Sequence, residues 1–339
     1  MKKGTHIEVR IEKVGFGGMG IGCLVDIDAE KYGEDVASLR NKKVLVQDTI
    51  PGEVVEAHVV KSKKNYIEAR KMRTLTPSPH AITPRCKHFN VCGGCKWQNL
   101  PYNMQVDIKA EHVKESFTHL GGFSKECIER IIKPIKPAID TWEYRNKVEF
   151  SFGLDHHMKR AFGFHAEGMR YDIFNLEECF LISPEMLKVA LAVRDFTVSH
   201  KLTPYIYREN KGLLRNLIVR QGMRTEADPD MSGSLGERTG EILINLIISH
   251  EEFSSALKTE LKDVLAPHSV TSLYVTSIHT EPGKPTKQVE ELIAGAPYIH
   301  EKMTIQKDDE IDDTHSKAKS KTQTFTFQIS PSSFFQTNT

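Results

Sequence analysis

Residues 6–27, HIEVRIEKVGFGGMGIGCLVDI, form two alternating runs of apolar and polar residues on either side of a glycine-rich segment. Such alternation is typical of strands that bury one face. Gly15, Gly17 and Gly20 match the spacing G-x-G-x-x-G, but a dinucleotide-binding loop needs a helix after its glycines. A second strand continues here instead, so the glycines predict a β-turn with positive φ angles.

Further strand patterns follow this first pair. They cover residues 42–47, KKVLVQ, and residues 53–72, EVVEAHVVKSKKNYIEARKM, with Pro51-Gly52 as a turn between them. Short strands with no helix between them predict a small barrel or sandwich. Residues 74–84 carry three prolines and are predicted to be a linker.

The remaining chain mixes helices and strands. Residues 101–120 predict a helix because apolar residues recur there at three- and four-residue intervals, a proline suits the first turn and a glycine pair ends it. From about residue 131 to 304 strands outnumber helices and do not alternate strictly with them, which favours an α+β domain. Two polar stretches, 225–240 and 306–323, are predicted to be surface insertions.

The composition is that of a globular protein. The chain has 339 residues, of which 39% are hydrophobic and 27% charged, so two or three folded domains are expected and general disorder is excluded. The longest apolar run, ILINLII at 242–248, has the length of a strand and not of a membrane helix. The start, MKKGTHIEVR, lacks the apolar region of a signal peptide, so we expect a cytoplasmic protein. In a reducing cytosol its six cysteines favour metal or cluster ligation over disulfides.

The net charge of +1 hides a basic stretch between residues 61 and 88, where eight lysines and arginines accompany one acidic residue, Glu68. Such a local excess is typical of a polyanion site, and a solvated lysine-rich loop is the alternative. The glycines of residues 15–20 would let an RNA backbone approach closely, and Tyr66 would either stack on a base or face a core. The candidate RNA-binding residues are Lys61, Lys63, Lys64, Arg70, Lys71 and Arg73.

Three cysteines, Cys86, Cys92 and Cys95, lie in the spacing C-x5-C-x2-C, with two glycines between the last two. This spacing predicts a bound centre rather than three unrelated buried thiols. An iron–sulfur cluster takes four thiolates, whereas structural zinc also accepts three thiolates and one imidazole, and a three-plus-one pattern favours iron–sulfur. A radical S-adenosylmethionine enzyme would instead show C-x3-C-x2-C. The candidates for the fourth ligand are Cys179, Cys127, Cys23 and His88.

Seven segments carry a family resemblance: GFGGMGIG, PGEVVEAHVVKSKKNYIEAR, PRCKHFNVCGGCKWQNLPYNMQ, EYRNKVEFSFG, ECFLIS, GLLRNLIVRQG and QISPSSFFQTN. In these segments and their order the chain closely resembles the RNA uracil-5-methyltransferase family, in particular its iron–sulfur branch acting on large-subunit ribosomal RNA. The first two segments are similar to the family's OB-like RNA-binding barrel, the TRAM domain, and the third is similar to its cluster segment. The resemblance covers essentially the whole chain.

The resemblance implies an enzyme that uses S-adenosyl-L-methionine to methylate C5 of uridine in 23S ribosomal RNA, and that is a monomer when full length. It also implies a four-iron four-sulfur (4Fe-4S) cluster, whose ligands would be Cys86, Cys92, Cys95 and Cys179. Gln336 would contact S-adenosylmethionine, and Phe334 and Phe335 would be core residues that position its turn.

The resemblance further implies four domains: a TRAM-like barrel (1–73), a linker with the cluster segment and a helix (74–127), a central α+β domain (128–325) and the start of a Rossmann-like methyltransferase domain (326–339). In the family, SPSSFFQTN leads into the domain that holds the cofactor loop, the cysteine nucleophile and the catalytic base. Because the sequence stops at Thr339, we expect a truncated chain that has no catalytic residue of its own and is inactive alone. The helix at 101–120 would then leave an apolar face uncovered.

Two other functions stay open. A non-catalytic RNA-binding protein with a structural metal or iron–sulfur centre would also need the barrel, the basic stretch and the cysteines, but it has no need of SPSSFFQTN. The transfer-RNA branch of the same family is expected to lack both the barrel and the cysteine cluster. Iron and sulfide in the protein would favour the iron–sulfur branch, whereas stoichiometric zinc would count against it.

Overall fold

The structure is a computed structural model that describes residues 1–26, 28–33, 35–225, 237–280, 283–307 and 321–336. The chain divides into two compact units. Unit 1 comprises residues 1–90 and 94–137, and unit 2 comprises residues 91–93 and 138–339. Within the described ranges, no helix is long and apolar enough to cross a membrane.

Unit 1 contains a closed barrel, as the alternating sequence predicts. Its strands are β1 (His6–Val14), β2 (Gly20–Leu24), β3 (Lys43–Val46), β4 (Val54–Ser62) and β5 (Tyr66–Thr76). They close in the order β1-β2-β3-β5-β4, and all neighbours are antiparallel except β3 and β5. Alternate residues of a strand point to opposite faces, so Ile7, Val9 and Ile11 of β1 are buried in the barrel core.

The glycine-rich segment is a turn between β1 and β2. Gly17 and Gly18 both have φ of +86°, a region that residues with a Cβ avoid, and the Gly15 N–H donates to the Met19 carbonyl over 2.8 Å. At Gly20, a Cβ atom would lie 2.0 Å from the Thr49 hydroxyl oxygen. The prediction of a turn is confirmed, and the dinucleotide fingerprint is excluded because β2 follows directly.

The helices described in unit 1 are α1 (Ala29–Tyr32), α2 (Val36–Asn41), α3 (Tyr102–His119) and α4 (Lys125–Ile131). α3 confirms the helix predicted at 101–120, whereas the three short helices were not predicted. Polar contacts hold α3 to β1: His112 Nε2 donates to the Val14 carbonyl over 2.7 Å, and Lys13 pairs with Glu115.

The apolar face of α3 is uncovered within unit 1. No residue of α3 is buried, Val113 and Phe117 are exposed, and Leu120 at the C-terminal cap is 88% exposed. The Phe117 ring contacts Phe123 edge to face, with 5.6 Å between the ring centroids. This small aromatic pair is too limited to bury the face.

Unit 2 is built on one eight-stranded mixed sheet. Its strands are β6 (Lys147–Leu154), β7 (Arg160–Gly163), β8 (Leu214–Thr225), β9 (Glu237–Ile248), β10 (Val270–His279), β11 (Lys287–Gly295), β12 (Ile299–Lys307) and β13 (Lys321–Ile329). The main order is β11-β10-β9-β8-β12-β13, and β6 pairs with both β7 and β8. The pairs β9–β10 and β8–β12 are parallel, and the other pairs are antiparallel.

Two helices, α5 (Pro184–Ser199) and α6 (Ser255–Leu265), pack on this sheet and bury its main core. α5 begins at Ser183, whose hydroxyl accepts from the Met186 N–H over 3.1 Å and donates to Gln221 Oε1 on β8 over 2.7 Å. Met186 is fully buried, and so are residues at three- and four-residue intervals after it. The α+β class predicted for this region is confirmed.

The predicted domain boundary between residues 325 and 326 falls inside β13, which pairs with β12 over residues 321–329. Residues 326–329 therefore belong to the unit 2 sheet and do not begin a separate domain. The polar stretch before this strand hides its alternation in the sequence. The predicted linker likewise starts inside β5, which continues to Thr76.

The two predicted insertions lie largely outside the described residues. Residues 226–236 and 308–320 are not described, and the flanking residues form the ends of β8, β9, β12 and β13. The sheet strands are therefore longer than the sequence patterns predicted.

Candidate nucleic-acid interface

Most of the predicted RNA-binding residues lie on the outside of the barrel. β4 and β5 form a hairpin whose turn contains Lys63 and Lys64, closed by a hydrogen bond of 2.9 Å from the Lys63 N–H to the Tyr66 carbonyl. Ile67 and Ala69 point into the core, so Tyr66 and Arg70 lie on the outer face. Five of the six predicted cations are exposed, namely Lys61, Lys63, Lys64, Arg70 and Arg73.

Two of these cations are held by carboxylates of the same hairpin. Lys61 Nζ lies 3.6 Å from Glu68, and Arg73 Nε donates to Glu56 Oε2 over 2.6 Å. The hydrogen bond from Arg73, followed by one from His6, lowers the pKa of Glu56 below its usual value. Part of the positive charge counted in the sequence is therefore neutralised on the barrel itself.

Lys71, the sixth predicted cation, is ion-paired within the barrel. Its Nζ donates to both carboxylate oxygens of Glu53 and to the Asp48 carbonyl, each over 3.2 Å. Glu53 is only 5% exposed and also accepts from the Ile50 N–H over 3.1 Å. Alternate residues of a strand point to the same side, so Lys71 lies on the face of β5 that carries Ile67 and Ala69, and this face brings it to Glu53.

Lys63, Lys64 and Arg70 are the free cations of the hairpin. They are exposed, and within the described ranges no carboxylate pairs with them. Their charge is available to a phosphate backbone, which is attracted most strongly by cations without an internal partner. We call these three residues the free basic edge of the barrel.

Phe16 is a functional candidate that the sequence analysis missed. It sits in the glycine turn, its side chain is 88% exposed, and its ring meets the His112 ring at 6.1 Å between centroids. An exposed ring on a loop of an OB-like barrel is a suitable platform for a nucleic-acid base. Its position between Gly15 and Gly17 was the available signal, since these small neighbours leave the ring uncovered.

The four cysteines predicted as cluster ligands are half-exposed thiols that form no disulfide. Cys86 donates its N–H to Gln98 Oε1 over 3.1 Å, Cys92 forms a backbone bridge with Ala166, and Cys179 packs on the core of unit 2. In the part of the chain that the structure describes, no three or more His, Cys, Asp or Glu side chains are arranged to hold a metal. Cys86 and Cys95 belong to unit 1, and Cys92 and Cys179 belong to unit 2. The ligand set Cys86, Cys92, Cys95 and Cys179 for a 4Fe-4S cluster therefore stays a prediction.

Gln336 follows a tight turn after β13. Ser330 and Ser333 close that turn through their hydroxyls at 2.7 Å, and the Ser333 carbonyl accepts from Arg220 Nη2 over 2.5 Å. Asn146 Nδ2 donates to the Gln336 carbonyl over 2.8 Å. The backbone of Gln336 is thus fixed while its side chain is exposed.

The two phenylalanines before Gln336 differ in their surroundings. Phe335 packs against Leu243, Ile299 and Ile329, as predicted for a core residue that positions the turn. Phe334 is 87% exposed, so the prediction that it is a core residue is wrong. Neighbouring residues of an extended segment point to opposite sides, and only one of them can face the sheet.

Arg220 is the second residue that sequence analysis missed. It is 4% exposed on β8, and burial lowers the pKa of its guanidinium. An arginine directly after the apolar run LIV in RNLIVRQG was the sequence signal for it. Through the Ser333 carbonyl it ties the segment before Gln336 to the sheet.

Comparisons with known proteins agree with this architecture. Residues 1–72 match the TRAM domain, which confirms the assignment of the N-terminal barrel. The chain is 30% identical to an uncharacterized RNA methyltransferase of Chlorobaculum tepidum over 85% of this chain and 55% of the relative. It is 28% identical to an uncharacterized RNA methyltransferase of Clostridium tetani over 100% of this chain and 63% of the relative.

A solved structure shares the fold. The tRNA (uracil-54, C5)-methyltransferase of Pyrococcus abyssi, in complex with S-adenosyl-L-homocysteine, matches with a TM-score of 0.60 and 18% identity over 98% of this chain and 61% of that chain. The chain thus spans 55% to 63% of the length of these similar proteins.

Proposed function

We propose that the protein is an S-adenosylmethionine-dependent RNA methyltransferase that acts on C5 of uridine, with 23S ribosomal RNA as its substrate. The free basic edge of the TRAM barrel, Lys63, Lys64 and Arg70, is the observation that carries the RNA-binding part. The methyltransferase part is supported by the names of the similar proteins from Chlorobaculum tepidum and Clostridium tetani. The choice of uridine C5 is supported by the fold shared with the Pyrococcus abyssi enzyme.

In this proposal the described residues bind the RNA and orient it. The free basic edge contacts phosphates, while Lys61 and Arg73 are kept in place by Glu68 and Glu56. Phe16 presents its exposed ring to a base. The target uridine leaves the stack, since C5 and C6 must be reached from the ring face.

S-adenosylmethionine, when bound, supplies an electrophilic methyl group, and Gln336 is the residue proposed to contact it. The backbone of Gln336 is held by Asn146 and its side chain is exposed, so the amide group is accessible to a ligand. Methyl transfer to C5 also needs a thiolate that adds to C6 and a base that removes the C5 proton. Neither role is assigned to any residue within the described ranges.

The test is the 5-methyluridine content of 23S ribosomal RNA, measured by mass spectrometry of RNA fragments from cells with and without the encoding gene. The proposal expects one or more 5-methyluridines to disappear and to return when the gene is restored. Unchanged 5-methyluridine, together with RNA binding by the purified protein, would support the non-catalytic RNA-binding alternative instead.

The predicted cluster has its own test, which does not depend on methylation. Iron and acid-labile sulfide, measured on protein purified without oxygen, should be present in equal amounts of about four per chain for a 4Fe-4S cluster. Stoichiometric zinc, or neither metal, would remove the cluster from the proposal and leave the RNA methyltransferase assignment untouched.

A further inference from the structure

An open groove in unit 2, of about 660 Å³, is lined by arginines and tyrosines. It lies beside the end of β6 and is bordered by residues 165–173 and 205–208. The six residues that define it here as the arginine–tyrosine groove are Arg170, Tyr171, Tyr205, Tyr207, Arg208 and Arg215. None of them belongs to the barrel or to the segment around Gln336.

The inner part of the groove is a rigid stack. The Arg215 guanidinium lies 4.3 Å from the centroid of Tyr205 and 5.0 Å from that of Tyr207, and the two rings meet at 87° with 5.0 Å between centroids. Tyr205 is 7% exposed, and its hydroxyl donates to Asn210. Tyr205 and Arg215 therefore form a fixed floor, and Tyr207, which is 57% exposed, presents its ring above that floor.

The outer part of the groove also consists of guanidinium groups stacked on a tyrosine ring. Tyr171 is 46% exposed, and the guanidinium carbons of Arg208 and Arg170 lie 4.6 Å and 5.5 Å from its ring centroid. Guanidinium groups over aromatic rings keep their outward N–H groups available for an anion. Two exposed rings and three guanidinium groups thus share one surface.

The arginines of the groove are not held in ion pairs by described residues. Within the described part of the chain, no carboxylate forms an ion pair with Arg170, Arg208 or Arg215, and Nε of Arg215 is buried without a hydrogen-bond partner. The acidic residues of the lining are Asp155 and Asp172. Asp155 is occupied by the N–H groups of His157 and Lys159, each at 2.9 Å, and these bonds, the one from Lys159 first, keep its pKa below the usual value. Asp155 stays charged, but the three arginines outnumber the two aspartates of the lining, so the groove favours an anionic ligand.

We propose that the arginine–tyrosine groove binds single-stranded RNA, with the rings of Tyr171 and Tyr207 stacked on bases and Arg170 and Arg208 bound to phosphates. A free phosphate would use the arginines and leave the rings unexplained, whereas single-stranded nucleic acid uses both. The bases of a duplex are already stacked on one another and cannot cover these rings. This inference rests on the RNA substrate of the proposed function and adds a second contact surface, in unit 2, for that substrate.

The test compares Tyr171→Ala/Tyr207→Ala with the matched pair Tyr171→Phe/Tyr207→Phe, which keeps both rings. Binding of a short fluorescein-labelled oligouridine is measured by fluorescence anisotropy, with an RNA duplex as second probe. Base stacking on an aromatic residue is worth roughly 1–3 kcal/mol per base, so the loss of two rings should weaken oligouridine binding by about thirtyfold or more. The phenylalanine pair should bind oligouridine like the wild type, and duplex binding should be the same in all three proteins.

Two results would overturn the inference: wild-type affinity of the alanine pair for oligouridine, or an equal loss in the phenylalanine pair. Competition by polyglutamate as effective as that by oligouridine would also overturn it, since the groove would then be a general anion site. Equal thermal unfolding temperatures of the three proteins ensure that folding is unchanged. These outcomes are independent of 5-methyluridine formation, so the groove and the proposed function can fail separately.

Discussion

At the scale of single residues, the contact between Lys71 and Glu53 shows how a charge counted as a ligand-binding group can be part of the fold. The side chain of Glu53 is nearly buried, and Lys71 is its cationic partner at 3.2 Å. Replacing Lys71 with Ala would leave a buried carboxylate without its counter-charge. We expect a loss of about 1–3 kcal/mol in the free energy of unfolding, because a buried group that loses its partner keeps its desolvation cost.

The measurement is urea unfolding followed by circular dichroism, with Lys63→Ala as the matched control. Lys63 is exposed in the hairpin turn, so its removal should change stability by no more than about 0.5 kcal/mol while it weakens RNA binding. If Lys63→Ala destabilised the protein as much as Lys71→Ala, the structural role assigned to Lys71 would be wrong.

The sequence predicted where the basic surface lies, but not which of its cations are ion-paired within the barrel and which face solvent. Spacing along the chain shows that Lys71 and Arg70 are neighbours, yet one faces Glu53 and the other faces solvent. Alternation along β5 places the two side chains on opposite faces, but the carboxylate that meets Lys71 is brought there only when the barrel closes. For the same reason Phe334 and Phe335 could not be told apart, since the sheet that covers only Phe335 is formed by strands far away in sequence.

At the scale of helices and strands, His200 joins the end of α5 to α6. Its Nδ1 donates to the Phe196 carbonyl over 3.0 Å, and its Nε2 donates to Glu260 over 2.7 Å. Because both ring nitrogens face acceptors, the protonated ring is favoured: the backbone bond first and Glu260 second raise the pKa of His200 above its usual 6.5.

Because the pKa of His200 is raised in the folded state, its contribution to folding stability decreases as the pH rises. The contribution of His200 to stability is fully present below about pH 6.5, the unfolded value, and is lost as the pH rises through the higher folded value. His200→Gln should therefore make stability less dependent on pH in this window. Glu260→Gln, which keeps the backbone bond, should have a smaller effect. Urea unfolding at several pH values measures the pH dependence of the free energy of unfolding. Identical pH profiles for wild type and His200→Gln would contradict the prediction.

The uncovered face of α3 predicts self-association. Leu120 is 88% exposed and Phe117 and Val113 are exposed near it, so water-exposed apolar surface favours contact between copies. Leu120→Gln should reduce the sedimenting oligomer fraction and the fluorescence of a bound apolar dye, with little change in stability. Exposed Lys114→Gln on the same helix is the control. A wild-type protein that sediments as a monomer and binds no dye would refute the prediction.

Helices and strands whose apolar residues recur at regular spacing were predicted well. Short helices and strands at the edge of a sheet were not. β1 follows from alternation, because burial of one face imposes that period on the sequence. α3 follows from the three- and four-residue spacing of its apolar residues, from the proline before it and from the glycine pair after it. α2 has a single buried residue, Leu39, and depends on its Asp35 cap, so it leaves almost no periodic signal. β13 is mostly exposed at the edge of the sheet, and its assignment depends on pairing with β12.

At the scale of the whole chain, two separate surfaces carry the proposed RNA contacts. The barrel offers the free basic edge, which attracts phosphates of any nucleic acid, whereas the arginine–tyrosine groove offers rings that only unstacked bases can cover. Salt separates the two contributions, since phosphate contacts release counterions and stacking does not. A protein that uses both should lose affinity with salt but keep its preference for single strands.

The triple variant Lys63→Ala/Lys64→Ala/Arg70→Ala tests this division. Each phosphate contact to single-stranded RNA adds roughly 0.7 to the slope of log affinity against log salt, so losing three contacts should lower that slope by about 2. The matched control is Lys188→Ala/Lys201→Ala/Lys262→Ala, which removes the same charge from exposed positions in unit 2 and should leave the slope unchanged. Anisotropy titrations with oligouridine over a range of salt concentrations give the slopes, and equal slopes for both triple variants would show that the barrel edge makes no phosphate contacts. Because the groove remains intact in both variants, each should still bind oligouridine more tightly than the RNA duplex.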